Sequence, residues 1–146
     1  DKGELGFRFS QSAHIVGRGV EEKPSYIVGR AYLLKSWIVS HRAGQISYSK
    51  GYLIVGQTGY YYVYCQLYSR DADATSYNFL LYIDEKPVLK AVKPIISSRK
   101  TYNNTNYIGG VFRIAAGQRI SVRTQYKNLF MYNSTDSFFG AFMIHP

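Results

Sequence analysis

The sequence has one cysteine, Cys65, in 146 residues, so no disulfide can form within a single chain. No apolar run approaches the roughly 20 residues that a membrane-spanning helix needs, and the first residues lack the apolar core of a signal peptide. The chain therefore looks like a soluble piece, and its start, DKGELGFRFSQ, looks cut from a longer protein. We expect residues 1–11 to form a flexible lead-in.

Acidic residues are also scarce, because 9 Asp and Glu stand against 18 Lys and Arg, which gives a formal net charge of +9. Such a charge attracts anionic partners, and nucleic acid, sulphated matrix such as heparan sulphate and an acidic receptor all qualify. The cations are spread along the chain, so a solvated surface is the simplest explanation for them. The length fits one domain, and 46% hydrophobic residues are enough for one core.

Tyrosine, in contrast, occurs 15 times and concentrates in residues 51–70, GYLIVGQTGYYYVYCQLYSR. The centre of this segment alternates with period two, which indicates a strand. Its apolar face consists of Tyr61, Val63, Cys65 and Leu67. Its other face consists of Tyr60, Tyr62, Tyr64, Gln66 and Tyr68. The second face is too polar for a monomer core and too apolar for open water, so we interpret it as an oligomer contact. The alternative is an ordinary strand covered by loops.

Short alternating segments separated by turn residues fill the rest of the chain, and they predict nine to ten strands and an all-β antiparallel sandwich. Residues 119–126 alternate so regularly that Arg119, Ser121, Arg123 and Gln125 are expected to face solvent. Residues 18–30 and 127–136 are predicted as loops. Pro87 is predicted in a turn, because proline cannot pair within a central strand.

Four motifs stand in a definite order along the chain. They are Ala13-His14-Ile15, Gly51-Tyr52-Leu53 with GYYYVY at 59–64 and Gln66, Gly109-Gly110-Val111-Phe112, and Phe138-Phe139-Gly140-Ala141-Phe142. Each is weak alone, but together they resemble the homology domain of tumour necrosis factor (TNF) superfamily ligands over nearly the whole chain. Residues 82–87 and 100–103 resemble the ectodysplasin branch. That branch carries a cysteine pair near Ala91 and Asn106, which is missing here, and the cysteine that holds zinc in one apoptosis-inducing relative is missing too.

The resemblance implies a two-sheet jelly roll over residues 12–146 that forms a side-by-side homotrimer. The side chains implied near the threefold axis are Tyr62, Tyr64, Tyr107 and Phe138. It further implies a non-enzymatic cytokine without cofactor or metal, which clusters cysteine-rich ectodomains of TNF receptors and triggers signalling such as apoptosis or stress-kinase pathways. The chain would then be the extracellular part of a type II membrane protein, which proteolysis can shed.

By the same resemblance, the receptor lies between two subunits and contacts three loops. The implied contacts are Arg18, Glu21, Glu22 and Lys23 after the first strand, Asp84, Glu85, Lys86 and Pro87 at a hairpin tip, and Tyr126, Lys127, Asn128, Phe130 and Met131 before the last strand. The alternative is that all three are merely solvated loops, with Phe130 and Met131 turned inward. Separately from the resemblance, two triplets, at Asn103 and Asn133, match the N-glycosylation sequon in polar, turn-like stretches.

Three other functions compete with this interpretation. An enzyme would draw on His14, His41, His145 and Cys65, which the sequence scatters over separate elements without catalytic or metal-ligand spacing. Instead, His14 is expected to be a hydrogen-bonded packing residue. A nucleic-acid binder would place cations among its aromatic residues, and residues 60–64 contain none. A complement-type globular recognition domain shares the jelly roll and the trimer, and it remains the alternative function.

Overall fold

The computed structural model describes residues 10–71, 76–94, 102–126, 129–131 and 133–146. These ranges contain fourteen β-strands and no segment with the length and apolarity of a membrane-crossing helix. The strands are β1 (Ser12–Gly17), β2 (Glu21–Glu22), β3 (Ile27–Val28), β4 (Ala31–Leu33), β5 (Trp37–Ala43), β6 (Ser47–Ser49), β7 (Tyr52–Ile54), β8 (Gly59–Asp71), β9 (Ser76–Ile83), β10 (Lys86–Pro94), β11 (Tyr102–Ile114), β12 (Arg119–Thr124), β13 (Leu129–Met131) and β14 (Phe138–His145).

The strands form two antiparallel sheets of seven strands each. The first sheet is organised around β8, which pairs with β11 along one edge and with β14 and then β13 along the other. The order β14, β1, β5 continues it, and β2 pairs with β13. The second sheet runs β10, β9, β12, β4, β3, with β7 and β6 joined to β12. The predicted all-β jelly-roll sandwich is thus confirmed.

The core lies between the two sheets, and β8 supplies its centre. Tyr61, Val63, Cys65 and Leu67 are fully buried, as their period-two spacing predicts. Trp37 closes one part of the core, donating its indole N–H to the Leu34 carbonyl at 3.0 Å and meeting Phe139 edge-on at 5.0 Å between ring centroids. Gln11, at the end of the predicted lead-in, is also buried, and its side-chain oxygen accepts a 2.7 Å hydrogen bond from the Gln45 backbone.

Strand β12 departs from its prediction. Arg119 and Gln125 are exposed, but Ser121 is fully buried and Arg123 is 1% exposed, so the expectation that this alternate set faces solvent is wrong for Ser121 and Arg123. The guanidinium of Arg123 lies over the Tyr82 ring at 4.1 Å and forms a two-pronged ion pair with Glu85. Alternation of polar residues indicates which side chains point away from the core, but it does not show whether other residues cover them.

Several predicted loops contain strands. Residues 18–30 include β2 and β3, and residues 127–136 include β13, because each short segment finds a pairing partner that is distant in sequence. Pro87 lies within β10 instead of in a turn. It is tolerated there because β10 ends its sheet and the pairing with β9 is irregular next to Pro87.

Candidate functional site

The outer face of the first sheet gathers aromatic side chains from three neighbouring strands. Tyr62 pairs with Val111 of β11 on one side and with Phe142 of β14 on the other. In the same way, Gln66 pairs with Tyr107 of β11 and with Phe138 of β14. We call this surface the tyrosine face, and it comprises Tyr60, Tyr62, Tyr64, Tyr107, Val111, Phe138 and Phe142. All four residues predicted at the threefold axis therefore lie on one surface.

Two glycines give the central rings room to lie across the sheet. Gly109 and Gly140 are the partners of Tyr64 on its two sides. A Cβ at Gly140 would come within 2.5 Å of the Tyr64 hydroxyl and would also overlap the Ala13 carbonyl, and a Cβ at Gly109 would overlap the Tyr62 hydroxyl. Glycine is required at both positions by this close approach of the rings.

The polar tips of the central tyrosines are satisfied within the chain. The Tyr64 hydroxyl and His14 Nδ1 share a hydrogen bond of 2.6 Å, and the Tyr62 and Tyr107 hydroxyls share one of 2.8 Å. The rings stack with centroid distances of 6.0 Å for Tyr62 and Tyr64 and 6.5 Å for Tyr64 and Tyr107. The centre of this surface therefore offers ordered, mainly apolar rings to a partner, since the hydroxyls of Tyr62, Tyr64 and Tyr107 already have hydrogen-bond partners.

The tyrosine face leaves much apolar area in contact with water in the single chain. Tyr107 is 47% exposed, Val111 53% and Phe142 46%. Contiguous apolar patches of this kind mark protein contacts. The residues predicted near the threefold axis did not include Val111 and Phe142, although Phe142 follows Phe138 at a spacing that returns to the same side of a strand.

Burial controls the ionisation of this surface. Loss of hydration raises the pKa of Tyr64 to about 12, and it also raises the pKa of Tyr107 to about 12, with further contributions from its hydrogen bond to Tyr62 and from neighbouring tyrosines. Both phenols are therefore neutral at physiological pH. Burial, and then the nearby His41, lower the pKa of His14 below its ordinary 6.5.

The lowered pKa of His14 makes stability depend on pH. Below pH 6.5 the unfolded chain takes up a proton at this position more readily than the folded chain, so protonation favours unfolding. We expect the thermal midpoint to fall as the pH drops from about 6.5 towards 5, and to fall less in His14→Gln. Differential scanning fluorimetry of both proteins across this range checks it, and an equal pH dependence in the two would contradict it.

Two of the three predicted receptor segments meet in the structure. Strand β13 pairs with β2, which sets Phe130 opposite Glu22 and Met131 opposite Glu21. Arg18 and Lys23 flank β2 and are exposed, and Tyr126 is 42% exposed. Lys127 and Asn128 lie outside the described residues, as do the side chains of Phe130 and Met131. The backbone thus joins the first and third segments into one patch.

The second segment, the hairpin tip at residues 84–87, lies far from that patch. Asp84 and Glu85 form the turn between β9 and β10, and Asp84 accepts hydrogen bonds from the Arg119 backbone and the Gln118 side chain. This turn is next to the β11–β12 connection, at the end of β8 that begins with Gly59, whereas β13 pairs with β8 near Arg70. At about 3.3 Å per residue the two ends of β8 are roughly 35 Å apart. One partner that contacts both regions of a chain must be elongated.

The two glycosylation triplets differ in their surroundings. Asn133 is exposed at the start of a turn, and its side-chain amide donates to Asp136 at 3.4 Å. Asn103 lies within β11, where it pairs with Arg70, so its placement in a turn-like stretch is wrong. The side chain of Asn103 is outside the described residues. Asn133 is therefore an accessible acceptor.

Two of the four candidate catalytic residues lie close together in the fold. His14 and His41 are cross-strand neighbours in β1 and β5, although the sequence suggests scattered histidines. Cys65 lies on the opposite, inner face, where burial raises the pKa of its thiol well above the ordinary value and keeps it protonated. Within the described ranges, no group of three or more His, Cys, Asp or Glu side chains could hold a metal ion.

Comparison with known proteins gives a consistent picture. The model of the TNF (Tumour Necrosis Factor) family matches residues 35–144. Tumor necrosis factor ligand superfamily member 10 of Mus musculus is 26% identical over 137 residues, covering 77% of this chain and 47% of that protein. Member 6 of the same species is 24% identical over 108 residues, covering 68% and 39%. The chain spans less than half the length of both relatives.

Solved structures show the same fold. Eiger TNF from S. frugiperda superimposes with a TM-score of 0.78 at 18% identity, over 92% of either chain. Murine APRIL at pH 5.0 superimposes with a TM-score of 0.74 at 18% identity, over 92% of this chain and 99% of that one. At this level of identity the likeness concerns the fold alone.

Proposed function

The chain belongs to the TNF family, and from this premise we propose that it is a cytokine-type ligand that assembles into a homotrimer and clusters cell-surface receptors of the TNF-receptor family. The family membership favours this function over the complement-type recognition domain. As a ligand of this kind it would catalyse nothing and require no cofactor.

The observation that carries the proposal is the tyrosine face. Its central hydroxyls are satisfied internally, while Tyr107, Val111 and Phe142 remain about half exposed in a single chain. Aromatic, uncharged surfaces of this type are enriched at the centres of protein interfaces. Burying the face against two further copies would remove this apolar area from water without leaving the hydroxyl of Tyr62, Tyr64 or Tyr107 unpaired.

The mechanism of signalling follows from symmetry. A closed ring of three identical chains has three equivalent clefts between neighbours, and each cleft would bind one receptor chain. One ligand would then hold three receptors close together, and the avidity of the complex would exceed the affinity of any single contact. Apoptosis and stress-kinase activation are the outcomes we propose for such clustering.

The mass of the protein in solution tests the assembly. Size-exclusion chromatography with light scattering should give about three times the 16.7 kDa of one chain. A monomer at micromolar concentration would overturn the proposal. Capture of a TNF-receptor ectodomain by the trimer, with three receptors per trimer at saturation, tests the second step independently.

For the receptor contact we propose the patch formed by β2 and β13, together with the Asp84–Glu85 turn. An aromatic anchor beside charges is the usual composition of a hot spot, so we weight Phe130 for affinity and Glu21 and Glu22 for specificity and association rate. The separation of the turn from this patch suits an elongated, cysteine-rich receptor. The turn and the patch need not belong to the same subunit of a cleft.

Replacing Phe130 with alanine should weaken receptor binding by roughly 1–3 kcal/mol and leave the trimer intact. Replacing Glu21 and Glu22 together with alanine should mainly slow association. Surface plasmon resonance measures both effects, with light scattering as the check on assembly. Unchanged affinity and association rate in both variants would show that the contact lies elsewhere.

The proposed location is extracellular, as the ectodomain of a type II membrane protein that proteolysis can release. The accessible Asn133 should then carry a glycan when the protein is made in a eukaryotic secretory host, and Thr135→Val should abolish it by destroying the sequon. Intact-mass spectrometry of the two proteins decides this, and Asn103 is the second proposed acceptor. Unmodified Asn133 in the unaltered chain would show that its triplet occurs by chance.

The excess of basic residues supports a further partner. A net charge of +9 per chain, tripled in a trimer, should retain the protein on heparan sulphate or similar matrix in a salt-sensitive way. Elution from heparin below physiological salt would count against matrix binding. No nucleic-acid role is proposed.

A further inference from the structure

A groove of about 580 Å³ lies on the outer face of the second sheet, on the side of the sandwich away from the tyrosine face. Leu33 and Tyr52 belong to its lining from β4 and β7, and Tyr26 precedes β3. Three cations complete the rim, namely Lys35, Lys50 and Arg119. Because β4, β7 and β12 turn their other face to the core, the groove would remain open in a trimer built on the tyrosine face.

Aromatic rings, instead of carboxylates, hold two of these cations. The Lys35 ammonium lies 4.0 Å from the centre of the Tyr26 ring, and the Arg119 guanidinium lies 4.3 Å from the centre of the Tyr52 ring. A ring attracts the charge through its negative face but neutralises none of it. Both side chains are therefore held in place, and their positive charge is still available to a ligand.

Negative charge near the groove is already engaged. None of the described residues that line the groove is acidic. At the Arg119 end, the Asp84 carboxylate accepts hydrogen bonds from the Arg119 backbone and from Gln118. The Glu85 carboxylate is held by the two prongs of Arg123, at 3.0 and 2.8 Å. Glu85 attracts Arg119 through space while its carboxylate is bound to Arg123, so the described lining of the groove keeps an excess of positive charge that an anion from outside can neutralise.

We propose that this groove is a binding site for a sulphated saccharide, so that the matrix contact proposed above is made at a defined place. Sulphate groups match the rim of Lys35, Lys50 and Arg119, and the apolar faces of sugar rings match the tyrosines and Leu33. The other cations of the chain are widely spread. A long, repeating polyanion can contact these cations as well, and it can bind the grooves of neighbouring subunits at the same time.

A compact probe separates this site from general charge attraction. Sucrose octasulphate is a sulphated disaccharide small enough for one groove and too short to join two subunits. Isothermal titration at physiological ionic strength compares the unaltered protein with two variants of equal charge change. The groove variant is Lys35→Gln with Arg119→Gln. The control variant is Lys90→Gln with Arg30→Gln, two exposed positions outside the groove.

We expect the groove variant to bind the probe about tenfold or more weakly, and the control variant to lose less than twofold. Equal losses in both variants would overturn the site, since net charge alone would then explain binding. Heparin retention without any binding of the compact probe would also overturn the site while leaving the matrix proposal standing. Loss of receptor affinity in the groove variant, with saccharide affinity unchanged, would mean that an acidic protein occupies the groove. Light scattering on all three proteins keeps failure of the trimer separate from each of these results.

Discussion

Replacing Tyr64 with aspartate is expected to convert the trimer into monomers or aggregates. Tyr64 is at the centre of the tyrosine face, between Gly109 and Gly140, and its hydroxyl is bonded to His14. A carboxylate there would be buried against two copies of itself without a cation among the described residues of this face near enough to pair with it. Burying such a charge costs several kcal/mol per group, which an assembly can avoid only by coming apart.

Two control variants identify the cause. Tyr64→Phe keeps the ring and removes only the hydrogen bond to His14, so it should retain the trimer with a loss of about 1 kcal/mol per chain. Val92→Asp places the same new charge on β10, at an exposed position of the second sheet, and should leave assembly unchanged. Light scattering at a fixed protomer concentration compares the variants. A native-like trimer from Tyr64→Asp would refute the proposed interface.

The second large effect is expected at Arg123. Truncating this side chain to alanine should lower the free energy of unfolding by about 2–4 kcal/mol. The guanidinium bonds Glu85, the Asp84 carbonyl and the Ser121 hydroxyl, and it packs under the Tyr82 ring. Most of the cost comes from lost packing and from unpaired groups around a buried side chain, because Glu85 itself is 59% exposed and its ion pair is screened by water.

A second measurement distinguishes the loss of the Arg123–Glu85 contact from a non-specific loss of stability. The hydrogen bonds from Arg123 hold the pKa of Glu85 below its ordinary value. Nuclear magnetic resonance titration should therefore show a higher pKa for Glu85 in Arg123→Ala. Arg30→Ala, an exposed arginine, should change stability by no more than about 0.5 kcal/mol. Unfolding curves for Arg123→Ala that match those of Arg30→Ala would contradict this account.

Arg123 also connects the stability of the domain with the proposed receptor contact. It fixes the Asp84–Glu85 turn, in which Asp84 adopts a positive φ of 53°. Arg123→Lys keeps the charge but cannot reproduce the two-pronged contact, so an intermediate stability is expected. The turn would be less ordered in both variants.

The alternation of apolar and polar residues along the chain determined a large part of the fold. The inner face of β8 follows directly from a period of two, because a strand flanked by a core on one side must turn every second side chain towards it. The same alternation placed Tyr62 and Tyr64 on the outer face of this strand, and the family resemblance added Tyr107 and Phe138 to the same surface. The four motifs, taken in order, were sufficient for the family, which the comparison with known proteins confirms.

Tertiary structure decided what pattern alone could not. Strands β2 and β13 are two and three residues long, and they exist because distant segments pair, which no local propensity encodes. Arg123 alternates like a solvent-facing residue, yet Tyr82 and Glu85 cover it, so its burial depends on two elements that are about 40 positions away in the chain. The groove around Arg119 likewise combines residues from positions 26 to 119, and the excess of positive charge in its lining becomes apparent only when those positions come together. The sequence by itself determined which side of each long strand is apolar, because that depends on residues close together in the chain. Only the tertiary structure decided which polar side chains are covered and which cations share a site, because both depend on contacts between residues that are distant in the chain.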